Sequence, residues 1–444
     1  MKIVVIGGGG REHALVRAMG KSARVTEMVC APGNGGIAGE ARCVPLDVAS
    51  VEAVEALVRA EAPDLVVVGP EIPLAAGVVD ALKSAGVRVF GPVRGAAQLE
   101  SSKAFAKEFM QRWGIPTAAY KVCGSVAEVR TALEGFPERV VVKADGLAAG
   151  KGVVLCSTHQ EAVAAAEDLF GGGLLGSAAE SVVLEEMLEG PEISYFAICD
   201  GKRAVTLGFA QDHKRVGEGD TGPNTGGMGA YSTDDLVTAE EAAWLHGHVG
   251  QRVVDGMRAE GIPFQGVLFT GLMMTPDGPK VLEFNTRFGD PETEALLLRL
   301  DCDLVGLLEA AAQGNLREGA VRLKAGASAC VVLASGGYPG TYASGKVISG
   351  LDDVAAGVEV FHAGTAQRNG ELVTAGGRVL AVSATGSTLE DVLRRIYAAV
   401  AGISFGGMQY RRDIGWRALG RSGRVGKSQQ SADGSPVAGG ADGV

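Results

Sequence analysis

The order of apolar runs in the first hundred residues limits the fold more than any other feature of the chain. Lys2–Ile6, Val25–Cys30, Leu65–Val68 and Val87–Phe90 read as short strands, and helical patterns such as Val51–Glu61 and Ala75–Ala85 fall between them. This β-α-β-α rhythm implies a parallel sheet, with any ligand at the carboxyl ends of the strands. A helix over Lys103–Trp113 follows, ended by Gly114 and Pro116.

The pattern then changes. Val140–Lys143 and Val153–Cys156 read as strands joined by a glycine loop, the helix Gln160–Phe170 follows, and Ser181–Glu185 is another strand. Residues 193–323 mix strands, helices and long loops, and 324–419 are β-branched and glycine-rich with one clear helix, Leu389–Val400. The expected class is therefore α/β and α+β, multidomain: an N-terminal parallel-sheet unit over 1–102, a core over 103–323 carrying a small lobe at about 120–188, and a β-rich unit over 324–419. Residues 420–444, almost without apolar side chains, are expected to be a disordered tail.

Composition excludes several function classes. A formal net charge of −11 over 444 residues argues against nucleic-acid binding, which needs a basic field, but not against anionic metabolites held by local Arg, Lys and N–H groups. No apolar run approaches the roughly 20 residues of a membrane span, and the N-terminus reads as a strand and turn rather than a signal peptide. The seven cysteines form no CxxC pair. They read as small core residues of a protein in a reducing compartment, and a cytoplasmic location is expected.

Four stretches carry chemistry. Ile3–Ile6 runs into Gly7-Gly8-Gly9-Gly10-Arg11, a strand, a glycine turn and a helix start, which together suit an anion. A dinucleotide fingerprint fails here, since Glu12 or His13 stands where its third glycine belongs. Arg11 fits a phosphate monoester better, and Glu71 ends the Leu65–Val68 strand at the same edge. Lys143 to Val153, with Gly146, Gly150 and Gly152, is one residue short of a Walker loop and runs into a strand. It reads as a flap over a polyphosphate, or as a plain hairpin. Glu185-Glu186-Met187-Leu188, followed by Glu192, is an acidic hinge that can meet an adenine edge and ribose hydroxyls. In Glu283-Phe284-Asn285-Thr286-Arg287 the alternation of a strand puts Glu283, Asn285 and Arg287 on one face, with Leu282 and Phe284 toward the core. A carboxylate beside an amide oxygen suits Mg²⁺ with nucleotide phosphates, and Arg287 can neutralise a phosphoryl group in flight. The polar cluster Gln211-Asp212-His213-Lys214-Arg215 and the loop Pro223-Asn224-Thr225-Gly226-Gly227 complete the set. There His213 reads as a general base or as a positioning residue.

The flap, the acidic hinge and the Glu283-Phe284-Asn285 strand together resemble ATP-grasp ligases. Within them, Arg287-Phe288-Gly289-Asp290-Pro291-Glu292 is similar to the phosphoribosylamine–glycine ligase family, and the resemblance covers about Met1 to Leu419. It implies an ATP-grasp core behind a pre-ATP-grasp N-terminal domain, and a ligase joining glycine to 5-phosphoribosylamine through glycyl phosphate in purine biosynthesis. It implies that Lys103, Lys143, Glu185, Glu186, Leu188 and Glu192 contact ATP, that Glu283 and Asn285 hold Mg²⁺ or Mn²⁺, and that Arg287, Asp212 and Lys214 act on the reacting groups. Gly8, Arg11, Glu71, Asn224 and Asp290 become substrate contacts. The partners expected are small molecules only, and the expected working unit is a monomer. The chain departs from the pattern at Thr233, where proline is expected in a loop. Another ATP-grasp enzyme, a nucleotide-cofactor oxidoreductase and a non-catalytic nucleotide sensor are the rival readings. The Arg287–Glu292 run, the failed fingerprint and the presence of Glu283 and Asn285 respectively count against them.

Overall fold

A computed structural model describes residues 1–147, 152–173 and 179–420. Gly150 of the flap and the tail from residue 421 onward lie outside the described residues.

The N-terminal unit is an all-parallel five-stranded sheet in the order Arg42–Cys43, Glu27–Pro32, Lys2–Gly7, Leu65–Val68, Val89–Phe90. The first strand of the chain is central and its neighbours are reached in opposite directions, so the crevice between Lys2–Gly7 and Leu65–Val68 is a topological switch point. Local hydrogen bonds trimmed two expected strands. The Val25 N–H closes a turn on Ser22, so the second strand starts at Glu27, and the Val87 N–H closes the preceding helix on Leu82, leaving Val89–Phe90. The single helix read over Ala75–Ala85 is two, Glu71–Ala76 and Val78–Ser84, because Gly77 adopts a left-handed φ of +94°.

The small lobe is an antiparallel sheet in the order Tyr120–Cys123, Val182–Glu186, Val140–Ala144, Val153–Cys156. The helices Val126–Leu133 and His159–Gly171 cover it, capped by the Ser125 and Thr158 hydroxyls. Its core is its own: Val129, Val142, Ala162, Leu169 and Leu184 are all buried within it. A lobe with a separate core can move as a unit.

Of the remaining strands, Arg215–Gly217 pairs with Thr221–Asn224 and Thr365–Arg368 with Glu371–Thr374, and the other eight form one antiparallel sheet. Its order is Gly278–Asn285, Gln265–Thr275, Glu192–Asp200, Ala204–Asp212, Gly229–Thr233, Ala327–Ala334, Arg378–Gly386, Val358–His362. The sheet thus crosses residue 324 without interruption, through the pairing of Gly229–Thr233 with Ala327–Ala334. Thr233 lies at the end of that strand, opposite Ala327, rather than in a loop. The helix Glu292–Arg299 is buried on nearly every side, which a helix does only at the centre of a structure. Its Ala295, Leu296 and Leu297 share one core with Ile3, Val5 and Leu15 of the N-terminal unit and with Cys330 and Ala381 of the C-terminal strands. The Arg287–Glu292 run leads straight into this helix, so all three parts of the chain converge on it.

Candidate active site at the convergence of three units

At the switch point, Gly7–Arg11 and Glu71 stand at the ends of adjacent strands, with the Gly69 N–H on the Ile6 carbonyl at 2.9 Å. Arg11 does not present the free outward fork read from the sequence. It is buried, its Nε donates to Glu12 Oε1 at 2.6 Å, and its Nη1 donates to the Phe288 carbonyl at 3.1 Å. Glu12 Oε2 takes the Gly9 N–H at 2.6 Å, and Asp290 Oδ2 takes the Arg11 N–H at 3.4 Å. The protein's own carboxylates therefore occupy the positive end of helix Gly10–Gly20.

Arg287 crosses the crevice. Its Nε lies 3.4 Å from Glu71 Oε2, and its Nη2 lies 3.1 Å from both Glu100 Oε1 and Asn285 Oδ1. Burial pushes the Glu71 carboxyl up, but Arg287 and Arg11 outweigh it and hold Glu71 below the usual range. Glu100 goes the other way, raised by burial despite Arg287.

The expected strand alternation holds only in part. Gly271 pairs with Glu283 but Leu272 with Val281, so Leu282 is a bulge residue. Val281, not Leu282, enters the core with Phe284, and the strand ends at Asn285, so Arg287 reaches Asn285 from the following turn. The bulge has a use: the Leu282 carbonyl accepts from Lys143 Nζ at 3.2 Å, which brings a lysine of the small lobe onto the core strand.

Lys143 is one of several cations at this end. Lys103 Nζ donates to the Gly146 carbonyl at 2.9 Å, and Lys214 Nζ meets Glu192 Oε2 at 2.9 Å. Burial opposes ionisation of Glu283, yet Lys214, Lys143, Lys103 and Arg287 together hold its carboxyl below the ordinary range. Glu185, expected in an acidic hinge that meets ATP, is 2% exposed and lies between Lys107 Nζ at 2.7 Å and Lys143 Nζ at 2.9 Å. Burial lowers the Lys107 ammonium to about 8 although Glu185 opposes it. Glu186 and Glu192 remain partly open, and Leu188 lies beyond the last paired residue of its strand. Gly146, at φ +100° with open space around it, begins the flap, and the Gly152 carbonyl closes it on the Ala144 N–H at 2.8 Å.

Among the described residues no group of three or more His, Cys, Asp or Glu side chains forms a self-sufficient cage. Glu283 and the Asn285 oxygen, the latter held by Arg287, are two hard donors that suit Mg²⁺ taking its remaining oxygens from phosphates and water.

The other end of the cleft is acidic. Burial and Glu292 push the Asp212 carboxyl well up, with Lys214 opposing. Asp290 is held low by Arg378 and Arg11 against the effect of burial, and Arg378 Nη2 contacts its Oδ1 at 3.1 Å. Arg378 Nη1 also donates to the Gly226 carbonyl at 2.6 Å and the Asp290 carbonyl at 2.7 Å, so a residue of the C-terminal strands ties the Thr225–Gly227 loop to the Arg287–Glu292 run. Asn224 sits exposed on the hairpin Arg215–Gly217/Thr221–Asn224. His213 is fully buried and burial lowers it to about 3, while its Nε2 accepts the Gly415 N–H at 3.2 Å. That is a positioning residue, not a base.

Sequence reading missed Lys107, Glu100, Glu12 and Arg378. Lys107 had a signal, since it stands four residues after Lys103 on one helix face. Arg378 had none, being 88 residues from Asp290.

Comparison with known proteins agrees with this geometry. Residues 1–100, 101–293 and 328–417 match the N domain, ATP-grasp (A) domain and C domain of phosphoribosylglycinamide synthetase. The phosphoribosylamine–glycine ligase of Xanthomonas axonopodis pv. citri is 52% identical over 428 residues, 95% of this chain and 99% of that protein. That of Rhizobium meliloti is 49% identical over 423 residues, covering 95% and 99%. The crystal structure of the Thermotoga maritima phosphoribosylamine–glycine ligase superposes with a TM-score of 0.84 at 34% identity, covering 93% of this chain and all of that one. A biotin carboxylase from Campylobacter jejuni shares the fold alone, at a TM-score of 0.74 and 14% identity. With all three domains matched in order over nearly the whole chain, and a cleft that gathers Lys143, Glu283, Asn285 and Arg287, this chain belongs to the phosphoribosylglycinamide synthetase family.

Proposed function

We propose that the chain is an ATP-dependent ligase joining glycine to 5-phosphoribosylamine, with glycinamide ribonucleotide, ADP and phosphate as products, in purine biosynthesis. The observation that carries the reading is the end of the Gly278–Asn285 strand. There two oxygen donors and Arg287 meet lysines from the small lobe and from the core.

A carboxylate is a poor electrophile, so glycine must first be activated. Lys103, Lys143 and the flap glycines, Gly150 among them, receive the phosphates of ATP, while Glu186, Leu188 and Glu192 line its nucleoside end. Glu185 serves by fixing Lys143. Glu283 and Asn285 would hold Mg²⁺, or Mn²⁺ in its place, which would supply charge neutralisation for the phosphates. Arg287 faces the transferring phosphoryl group. The glycine carboxylate takes the γ-phosphoryl to become glycyl phosphate, and the ribosyl amine then displaces phosphate. Asp212 and Lys214 flank the reacting groups, and Glu71, Gly8, Arg11, Asn224 and Asp290 surround the substrates, Arg11 by holding the turn rather than by direct contact. The small lobe closes over the site to keep water from the acyl phosphate. In this division of labour residues 1–102 hold the acceptor, 103–323 the nucleotide, and 324–419 brace both.

The working unit proposed is a single chain, and the free thiols suit a cytoplasmic location. No helix among the described residues is long and apolar enough to cross a membrane. The test is isotopic. Glycine labelled with ¹⁸O in its carboxylate delivers one labelled oxygen to the released phosphate and none to ADP. Label found in AMP, or retained wholly in the amide, overturns the acyl-phosphate route.

A further inference from the structure

The second strand ends in Pro32-Gly33-Asn34-Gly35-Gly36. Three glycines in a surface loop are entropically costly, yet each stands where no side chain fits. A Cβ on Gly33 would lie 2.3 Å from Cys43 Sγ, one on Gly35 2.6 Å from Leu372 Cδ1, and one on Gly36 2.3 Å from the His362 ring. The loop is pressed between the N-terminal sheet and the C-terminal strands, and Asn34 is its fastening. Its Oδ1 accepts the Gly36 and Ile37 N–H groups, both at 3.0 Å. Its Nδ2 donates to the Gly8 carbonyl at 3.0 Å and to the His362 carbonyl at 2.6 Å. The carboxamide uses both donors and both lone pairs.

This fastening sets the glycine turn from behind. The Gly7 carbonyl takes the Gly33 N–H at 3.1 Å and the Gly8 carbonyl takes Asn34, so both carbonyls face the loop. In a trans peptide the N–H points opposite its carbonyl, so the Gly8 and Gly9 N–H groups face away from the loop, and that of Gly9 meets Glu12 Oε2 at 2.6 Å. Gly8 is glycine for the same reason, since its Cβ would lie 2.4 Å from the Gly33 carbonyl oxygen.

We propose that Asn34 is a positioning residue for the ribosylamine pocket: its carboxamide fixes the Gly8–Gly9 peptide and ties it to the backbone of the C-terminal strands at His362. The inference rests on the acceptor lying at the glycine turn, as argued above. Asn34→Ser keeps an acceptor for the local turn and removes both long-range donors. Asn34→Asp keeps the shape and both acceptor bonds but turns an oxygen toward the two carbonyls, and serves as the second variant should the first fold poorly. Steady-state kinetics on the full chain, varying freshly prepared phosphoribosylamine, glycine and ATP in turn, reads the effect. The expected result is a rise of about tenfold in KM for phosphoribosylamine, with KM for ATP unchanged, the size of one or two lost hydrogen bonds. Loss confined to kcat and melting temperature, with every KM unchanged, overturns the proposal. A rise in KM for glycine alone keeps the positioning role and overturns the acceptor assignment, which separates the two claims.

Discussion

The two ends of the cleft handle charge in opposite ways. At the nucleotide end Lys103, Lys107, Lys143 and Lys214 face Glu185, Glu192 and Glu283, and the cations lean on neutral partners such as the Gly146 and Leu282 carbonyls. At the acceptor end Arg11 and Arg378 are met by Glu12 and Asp290, while Arg287, which spans both ends, is met by Glu71 and Glu100 on one side and Asn285 on the other. One end keeps cations for a polyanion that arrives with the substrate. The other neutralises its guanidinium groups in advance and keeps an acidic lining, which suits the amino groups of the substrates proposed for it. A chain that binds a polyphosphate and two amines side by side has reason to separate them this way, because like charges placed together would cost affinity at both sites.

The largest expected effect breaks the nucleotide end at the carboxylate proposed to hold the metal. Glu283→Gln keeps an amide oxygen but removes the negative charge, and kcat should fall at least about a hundredfold, in line with the loss of one transition-state electrostatic contact. Near-normal turnover at low Mg²⁺ would remove Glu283 from the metal site. The next pair tests the partition itself. Lys143→Met should raise KM for ATP about tenfold and spare the amine substrates, while Arg378→Met should do the reverse, a charge-assisted contact being worth about 1.5–3 kcal/mol. If both variants shift the same KM, the two ends are not separate sites.

A third measurement concerns stability rather than rate. Lys107→Met leaves buried Glu185 with Lys143 alone. The cost should approach, without reaching, the ~3–5 kcal/mol of a fully orphaned buried charge. Urea denaturation reads it, and an unchanged midpoint would mean that Lys143 suffices. The smallest effect lies where the two outer units meet. Burial, then His13 and Arg17, push His362 down to about 4 from an ordinary 6.5. The unfolded chain therefore binds more protons than the folded one between those values, and stability present above pH 6.5 is lost as pH falls toward 4. The melting temperature should drop over that window by more in the parent than in His362→Asn, and equal slopes would take His362 out of the acid response.

Much of this was legible in the residues. Val51–Glu61 and Leu389–Val400 appear with the bounds their periodicity predicts, because each starts at a hydroxyl cap, Ser50 or Thr388. Glu283 and Asn285 fall on one strand, as the alternation requires. The errors share a cause. Leu282 was assigned to the core by counting in twos, and a bulge shifts the count. Arg11 and Glu185 carry no local sign of their burial, because their partners Glu12, Phe288 and Lys107 meet them only on folding.

The sequence by itself determined the parallel N-terminal sheet, the small lobe, and the strand that ends in Glu283 and Asn285, since each follows from spacing within a few residues. Only the tertiary structure decided which charges remain available to a ligand. Arg378 reaches Asp290 and Gly226, and Asn34 reaches His362, across 88, 152 and 328 residues respectively. A side chain's burial and its partners depend on contacts distant in sequence, and local periodicity carries no information about those.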